Sequence, residues 1–162
     1  MQIKLLNKEN WQVWKALRLE ALQNTPEAFC ASFEEEFCLS DQKFQDWLEQ
    51  CSIFGAFLDN QLIGCAGFYC LDALKTKHRG VLWGTYIKPT YRGKGIASHL
   101  IDAVIIHARS CVMQLHLTCV TSNTTALKIY QNHGFKIYGT EPRALKIGAD
   151  FYDEHLMVLE FV

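Results

Sequence analysis

The stretch "YIKPTYRGKGIASHL", residues 86–100, constrains the fold more than any other part of the chain. A run typical of a β-strand ends at Lys88, a basic turn with two glycines follows, and a helical periodicity begins at Ile96. Glycines at the mouth of a helix leave its first backbone amides accessible, and such amides attract anions. The stretch therefore predicts a strand–turn–helix unit of an α/β fold, with an anion site at the turn.

Hydrophobic periodicity divides the rest of the chain into strands and helices. The predicted strands are 2–6, 52–58, 61–71, 80–89, 112–120, 135–139 and 153–162, and the predicted helices are 9–23, 40–50, 96–109 and 123–133. Residues 27–39 are acidic and show no regular period, so we expect an irregular segment there. The order β-α-α-β-β-β-α-β-α-β-β predicts one domain, residues 1–162, with a mixed, mostly antiparallel sheet and helices on both faces.

Charge and cysteine content limit the classes of function. The chain has 16 Lys plus Arg and 17 Asp plus Glu, and a net charge of −1 gives no support to a nucleic-acid or anionic-membrane surface. No apolar run approaches the roughly 20 residues that span a bilayer. The seven cysteines form no C-x-x-C pair, so we expect buried thiols in a reducing cytoplasm, with a catalytic thiol as the alternative. The six scattered histidines predict no metal site.

Three phosphate-binding patterns compete for the turn at residues 92–98. A P-loop requires G-x-x-x-x-G-K-[ST], but here Lys94 is followed by Gly95 and Ile96. A dinucleotide fingerprint requires a third glycine and an acidic residue about 20 positions later, and both are missing. The remaining pattern is [RQ]-x-x-G-x-[GA] after a strand, which this turn satisfies. A structural turn that is merely basic is the alternative interpretation.

The turn from Arg92 to Ala97 resembles the pyrophosphate-binding turn of the GNAT N-acetyltransferases, an acetyl-CoA-dependent superfamily. A second segment, "NTTALKIYQNHGF", resembles that family's N-x-x-A-x-x-x-Y-x-x-x-G-F pattern. Its Asn123 and Tyr130 lie seven residues apart, so on a helix they share one face. Alone, Tyr130 would be interpreted as a core aromatic and Asn123 as an N-cap. Both segments occur in the family's order, and the resemblance extends over residues 2–160 and favours a bacterial-type member.

The resemblance implies a reaction and a set of binding residues. The reaction is acetyl transfer from acetyl-CoA to a primary amine, on a small molecule or a protein, by direct attack on the thioester. The turn would bind the pyrophosphate through Arg92, Gly93, Lys94, Gly95, Ile96, Ala97 and Ser98. Backbone amides of Tyr86 and Ile87 are candidates for stabilising the oxyanion, and Asn123 would contact the pantetheine arm. Tyr130 resembles the general acid that protonates the leaving thiolate.

The general base stays open at this point. Relatives often carry a Glu on the strand before the turn, but residues 80–89 contain no carboxylate. His116 is a candidate, because strand alternation places it on one face with Thr118. The other candidates are an ordered-water relay and the side chains of Glu35, Glu36, His78, Asp150 and Asp153.

The acceptor is not identified by the sequence. Three consecutive carboxylates, Glu34 to Glu36, predict either a solvated acidic surface or a site for a cationic acceptor, with Glu35 and Glu36 as its binding residues. A homodimer is compatible with the sequence, but nothing in it requires one. A non-catalytic acyl-CoA-binding or sensor module is the alternative function. The missing strand carboxylate favours that alternative, whereas Tyr130 and Asn123 favour an enzyme.

Overall fold

The structure is a computed structural model that describes residues 1–161. Within them the strands are β1 (Gln2–Leu5), β2 (Ser52–Leu58), β3 (Gln61–Cys70), β4 (Arg79–Ile87), β5 (Gln114–Val120), β6 (Lys136–Ile147) and β7 (Asp150–Glu160), and the α-helices are α1 (Trp11–Asn24), α2 (Phe33–Phe37), α3 (Asp41–Gln50), α4 (Ile96–Ala108) and α5 (Thr124–Asn132). The strands form a seven-stranded sheet in the order β1-β2-β3-β4-β5-β7-β6. The predicted mixed, mostly antiparallel sheet is confirmed.

The sheet opens in its middle, between β4 and β5. All neighbouring strands are antiparallel except this pair, which is parallel and aligned over only three positions, Arg79–Val81 against Gln114–His116. Beyond them the two strands diverge. A β-bulge in β4 accounts for the divergence, because the register with β3 shifts there and Gly84 takes a left-handed φ of 64°. A bulged strand bends, and here it leaves one edge of β4 unpaired.

Helices cover both faces of the sheet, as predicted. On one face, α4 contributes Leu100, Ile101 and Val104 to a core that also buries Leu115 and Leu117 of β5. On the other face, a second core contains Trp14 and Leu17 of α1 together with Phe44 and Leu48 of α3. The apolar stripes of these helices follow the 3.6-residue period that predicted them. No helix in residues 1–161 is both long and apolar enough to cross a membrane.

The prediction of an irregular segment at 27–39 was wrong in part. Residues Phe33–Phe37 form the short helix α2. Ser32 caps it by accepting a hydrogen bond from the Glu35 amide, while the Glu35 carboxylate accepts one from the Ser32 amide. This reciprocal pair is a capping box, and its Ser-x-x-Glu signature was present in the sequence.

The prediction that the sixth strand ends at residue 139 was also wrong. Strand β6 runs on to Ile147 and pairs with β7 through a tight turn at Gly148. Two register shifts interrupt this pairing, and Arg143, within the second shift between Glu141 and Leu145, has a left-handed φ of 53°. Pro142 and this irregular backbone conceal the strand, because proline in a sequence argues against a regular strand interior.

Candidate active site

A cleft of about 640 Å³ lies along the free edge of β4. Its walls come from the end of β4, the glycine turn, the first turn of α4 and the start of α5. Among the predicted binding residues, the structure lines this cleft with Tyr86, Ile87, Arg92, Gly93, Gly95, Ile96, Ala97, Ser98 and Asn123. Residues predicted from two separate motifs therefore meet at one concave surface.

The glycine turn is open on the side where a ligand would approach. Gly93 and Gly95 have φ values of 74° and 76°, a region that glycine adopts without the steric cost other residues incur. A Cβ atom added at either position would meet no protein atom within 4 Å. Packing within the protein therefore does not explain why glycine occupies these two positions. The positive φ values and the open space at the cleft explain it.

The first amides of α4 are available to an anion. Gly95 is the N-cap of α4 and has no side chain to cap the helix. The first turn closes with a hydrogen bond from the His99 amide to the Gly95 carbonyl, so the amides of Ile96, Ala97 and Ser98 precede the helical ladder. Free amides and the positive end of the helix dipole together favour a phosphate-like group.

The two basic residues of the turn have different surroundings. Arg92 donates from Nε to the Ile87 carbonyl at 2.9 Å, and its guanidinium lies 5.5 Å from the centre of the Tyr86 ring. Arg92 therefore ties the turn to the end of β4 while its terminal nitrogens still carry charge beside the cleft. Lys94 lies outside the cleft lining, with Nζ 5.4 Å from the centre of the Tyr91 ring.

The backbone amides of the two candidate oxyanion donors, Tyr86 and Ile87, point to opposite sides of β4. The Lys88 amide donates to Ile63 on β3, at 2.9 Å. Because successive amides of a strand point in opposite directions, the Tyr86 amide points toward β3 and the Ile87 amide points away, toward the cleft. The Tyr86 hydroxyl is occupied as well, since it donates to Glu20 at 3.0 Å and accepts from Asn24. Ile87 is thus the better oriented of the two donors.

A smaller inner cavity of about 110 Å³ continues from the cleft into the gap between β4 and β5. The cleft and the inner cavity share Thr85 and Asn123, among other residues. Tyr130 lines the inner cavity, and burial raises the pKa of its phenol to about 12, an effect that the Thr85 hydroxyl partly offsets. The buried Thr85 hydroxyl therefore lies beside the Tyr130 phenol, and Thr85 lines both the cleft and the inner cavity.

Asn123 caps helix α5 and also lines the cleft and the inner cavity. Its side-chain oxygen accepts a hydrogen bond from the Ala126 amide at 3.2 Å and so caps α5. The capping bond uses the oxygen and leaves the amide nitrogen free at the junction of the cleft and the inner cavity. Helix α5 ends before Gly134, whose φ of 90° is the left-handed conformation expected there.

His116 lies outside both cavities. Its Nε2 is 3.3 Å from Nε of Arg79 and 3.1 Å from Oε1 of Gln114. Burial lowers the pKa of His116, and the charges of Arg79 and His78 lower it further. The imidazole is therefore neutral and held by its neighbours, and it does not line the space that contains Tyr130.

Glu35 and Glu36 are engaged elsewhere. Glu35 takes part in the capping box of α2, and its carboxylate also accepts from the Ser32 hydroxyl at 2.9 Å. Glu36 is buried and receives two hydrogen bonds from Arg18 of α1, at 2.9 and 2.7 Å. A carboxylate paired in this way anchors α2 to α1 and has little capacity left for an acceptor amine.

Glu154 is a site candidate that the sequence predictions missed, since they named Asp150 and Asp153 of the same strand. Only 5% of Glu154 is exposed, and Oε1 accepts a hydrogen bond from the Thr118 hydroxyl at 3.2 Å. Thr118 lines the inner cavity. The signal in the sequence was weak, because Glu154 directly follows Asp153 in a strand that also contains Asp150 and Glu160.

The fold is thus an α/β fold in which a cleft lies along the open edge of a central strand. The model of the Acetyltransferase (GNAT) family matches residues 14–135. The chain therefore belongs to the GNAT acetyltransferase family, whose acetyl donor is acetyl-CoA.

Several known proteins are similar to this chain. A mycothiol acetyltransferase from Streptomyces scabiei (strain 87.22) is 24% identical over 134 residues, which are 82% of this chain but only 42% of that protein. A GNAT-family acetyltransferase from Streptococcus pneumoniae superimposes with a TM-score of 0.89 at 23% identity, covering 99% of both chains. The yncA protein from Salmonella typhimurium, solved with its cofactor acetyl-CoA, gives 0.87 at 17% identity and covers 99% of this chain and 93% of its own. At these identities the structural likeness concerns the fold alone.

Proposed function

We propose that this chain transfers the acetyl group of acetyl-CoA to a primary amine by direct attack on the thioester. The observation that carries the proposal is the continuity of the two cavities. The cleft at the glycine turn leads past Thr85 into an inner cavity that contains Tyr130. A cofactor bound along the cleft would thus present its reactive end to a phenol.

The residues present fit acetyl-CoA. The free amides of Ile96, Ala97 and Ser98, with the charge of Arg92, would hold the pyrophosphate. The outward amide of Ile87 would stabilise negative charge on the thioester oxygen. The coenzyme supplies an activated acetyl group, while the cleft supplies only binding and orientation.

Tyr130 is the proposed general acid at the leaving sulfur. An acid must be protonated at working pH, and a phenol with a pKa of about 12 meets that condition. The same pKa makes it a weaker acid than a thiol, whose ordinary value is about 8.5. The proton would therefore move late, as negative charge builds on sulfur rather than before the C–S bond weakens.

An acceptor screen tests this function. Purified protein is mixed with acetyl-CoA and polyamines, amino acids, aminoglycosides or peptides, and release of free CoA is followed together with the mass of the acceptor. Amine-dependent CoA release and a gain of one acetyl group support the proposal. Binding of acetyl-CoA in calorimetry without release for any amine would instead support the non-catalytic acyl-CoA-binding module, which the absence of a carboxylate on β4 favours.

A further inference from the structure

Thr118 and Glu154 lie on neighbouring strands where the sheet meets the inner cavity. We propose that they form the proton relay that deprotonates the attacking amine, a role that rests on the acetyl transfer proposed above. Thr118 would take the amine proton at its hydroxyl oxygen, and Glu154 would take the hydroxyl proton at Oε1. This pair supplies the base that β4 lacks.

The geometry gives the relay a direction. The Thr118 hydroxyl donates its proton to Oε1 of Glu154 at 3.2 Å. Because its proton is donated to Glu154, the hydroxyl oxygen can accept a proton only through its lone pairs. Thr118 is exposed and lines the same cavity as Tyr130, so these lone pairs are accessible from that cavity. Glu154 is almost fully buried on β7, two positions from the residue that pairs with Thr118. The hydroxyl is therefore the part of the pair that an acceptor meets.

The surroundings of Glu154 suit a base. Burial raises the pKa of its carboxyl, the Thr118 hydrogen bond opposes that rise, and Glu141, its direct partner on β6, adds to it. The thiols of Cys119 on β5 and of Cys30 in the loop after α1 are also near Glu154; burial raises the pKa of both, and the charge of Glu154 adds to that rise. A raised carboxyl pKa brings a base closer to the pH at which it must accept a proton.

The proton and bond changes balance with the groups present. The acceptor enters as the neutral amine, its nitrogen bonds to the thioester carbon, and the C–S bond breaks. One N–H proton passes to Thr118 as the hydroxyl proton passes to Glu154, while Tyr130 protonates the leaving sulfur. Protonated Glu154 then returns its proton, through Thr118 and solvent, to the phenolate of Tyr130. The net products are the acetamide and free CoA.

Variants separate the relay from a structural role. With the panel amine that gives the highest turnover, Thr118→Val and Glu154→Gln should each lower kcat on the order of 100-fold, with acetyl-CoA affinity unchanged. Thr118→Ser keeps the hydroxyl and should retain most of the activity. The double variant should be no slower than either single one, because the two groups act as one unit. Glu160→Gln, on the same strand but outside the cavities, is the matched control and should behave like the wild type.

A second measurement does not depend on turnover. Removal of the Glu154 charge by Glu154→Gln should lower the pKa of the Cys30 thiol, so peptide-resolved alkylation by iodoacetamide should become faster at neutral pH. Glu160→Gln should leave that rate unchanged. The same alkylation rate in all three proteins would contradict a charged carboxylate facing this cavity.

The relay and the function can fail separately. If the wild type acetylates an amine and Thr118→Val or Glu154→Gln keeps more than about a third of its kcat, the relay is wrong and the proposed function stands. The relay would also be wrong if the fold-decrease in kcat of the double variant equalled the product of the decreases in the two single variants. If the wild type acetylates no amine in the panel, both are overturned.

Discussion

At the scale of single residues, Tyr130 is the side chain on which the proposed chemistry depends most. Tyr130→Phe keeps the ring and its packing against Phe135, 5.9 Å away between ring centres, and removes only the proton donor. We expect turnover to fall on the order of 100-fold or more, with little change in acetyl-CoA affinity. Steady-state kinetics and calorimetry measure the two quantities. A variant with wild-type turnover would require a different source for the thiolate proton.

Glu154 links the chemistry to stability. The pKa of Glu154 in the folded state lies above the ordinary value of 4.5. The stabilising contribution of this carboxyl is therefore fully present below pH 4.5 and is lost as the pH rises through the folded pKa. Glu154→Gln cannot ionise and avoids this loss. We therefore expect the variant to gain Tm over the wild type as pH is raised from 4.5 to neutral, while it loses turnover. Thermal unfolding over a pH series tests the sign, and a Tm difference that does not move in favour of the variant as pH rises would contradict it.

At the scale of elements, the glycine turn offers a matched pair of substitutions. Gly95→Glu and Gly148→Glu both put a side chain on a left-handed residue with no protein atom within 4 Å of the new Cβ. The backbone strain is therefore comparable, but only Gly95 lies in the cleft. We expect calorimetry to show acetyl-CoA binding lost in the first variant and kept in the second, with both folded by circular dichroism. Equal affinity in both would remove the turn from the cofactor site.

A buried ion pair attaches helix α2 to α1. Arg18 and Glu36 have side chains that are 5% and 7% exposed, so removal of one partner leaves an uncompensated charge. Glu36→Gln should cost about 3–5 kcal/mol in the free energy of unfolding, measured by urea titration, whereas Glu35→Gln at the surface should cost less than about 1.5. A neutral effect of Glu36→Gln would show that the pair has no anchoring role.

Of the three carboxylates of α2, Glu35 and Glu36 were predicted to bind a cationic acceptor, and they need separate tests. A change in acceptor KM for Glu36→Gln would mix binding with the loss of helix anchoring. Glu35 is exposed, so Glu35→Gln tests attraction of a cationic amine without that complication. If Glu35→Gln leaves the acceptor KM for the best amine unchanged, Glu34 and Glu35 belong to a solvated surface, and Glu36 serves to anchor the helix.

At the scale of the whole molecule, the sequence predicted those features that depend on local order. The glycine turn before α4, the end of α5 before Gly134 and the apolar faces of the helices are fixed by near neighbours, and they were predicted. The bulge at Gly84, the Arg18–Glu36 pair and the contact of Thr118 with Glu154 depend on strand register or helix docking between distant segments. A single sequence carries no direct signal for such registers, so the proposed base was missed, although Tyr130 was predicted from a local motif.

Because β4 pairs with β5 over only three positions, we expect the stability of the fold to depend on bound acetyl-CoA. A ligand that lies along the free edge of β4 acts as a missing strand, so the sheet is complete only when the donor is present. Binding at 100 times Kd would add about 2.7 kcal/mol to the stability, and amide exchange should slow along β4 beyond Val81. Without acetyl-CoA we expect the protein to open more often along this seam and to be degraded sooner.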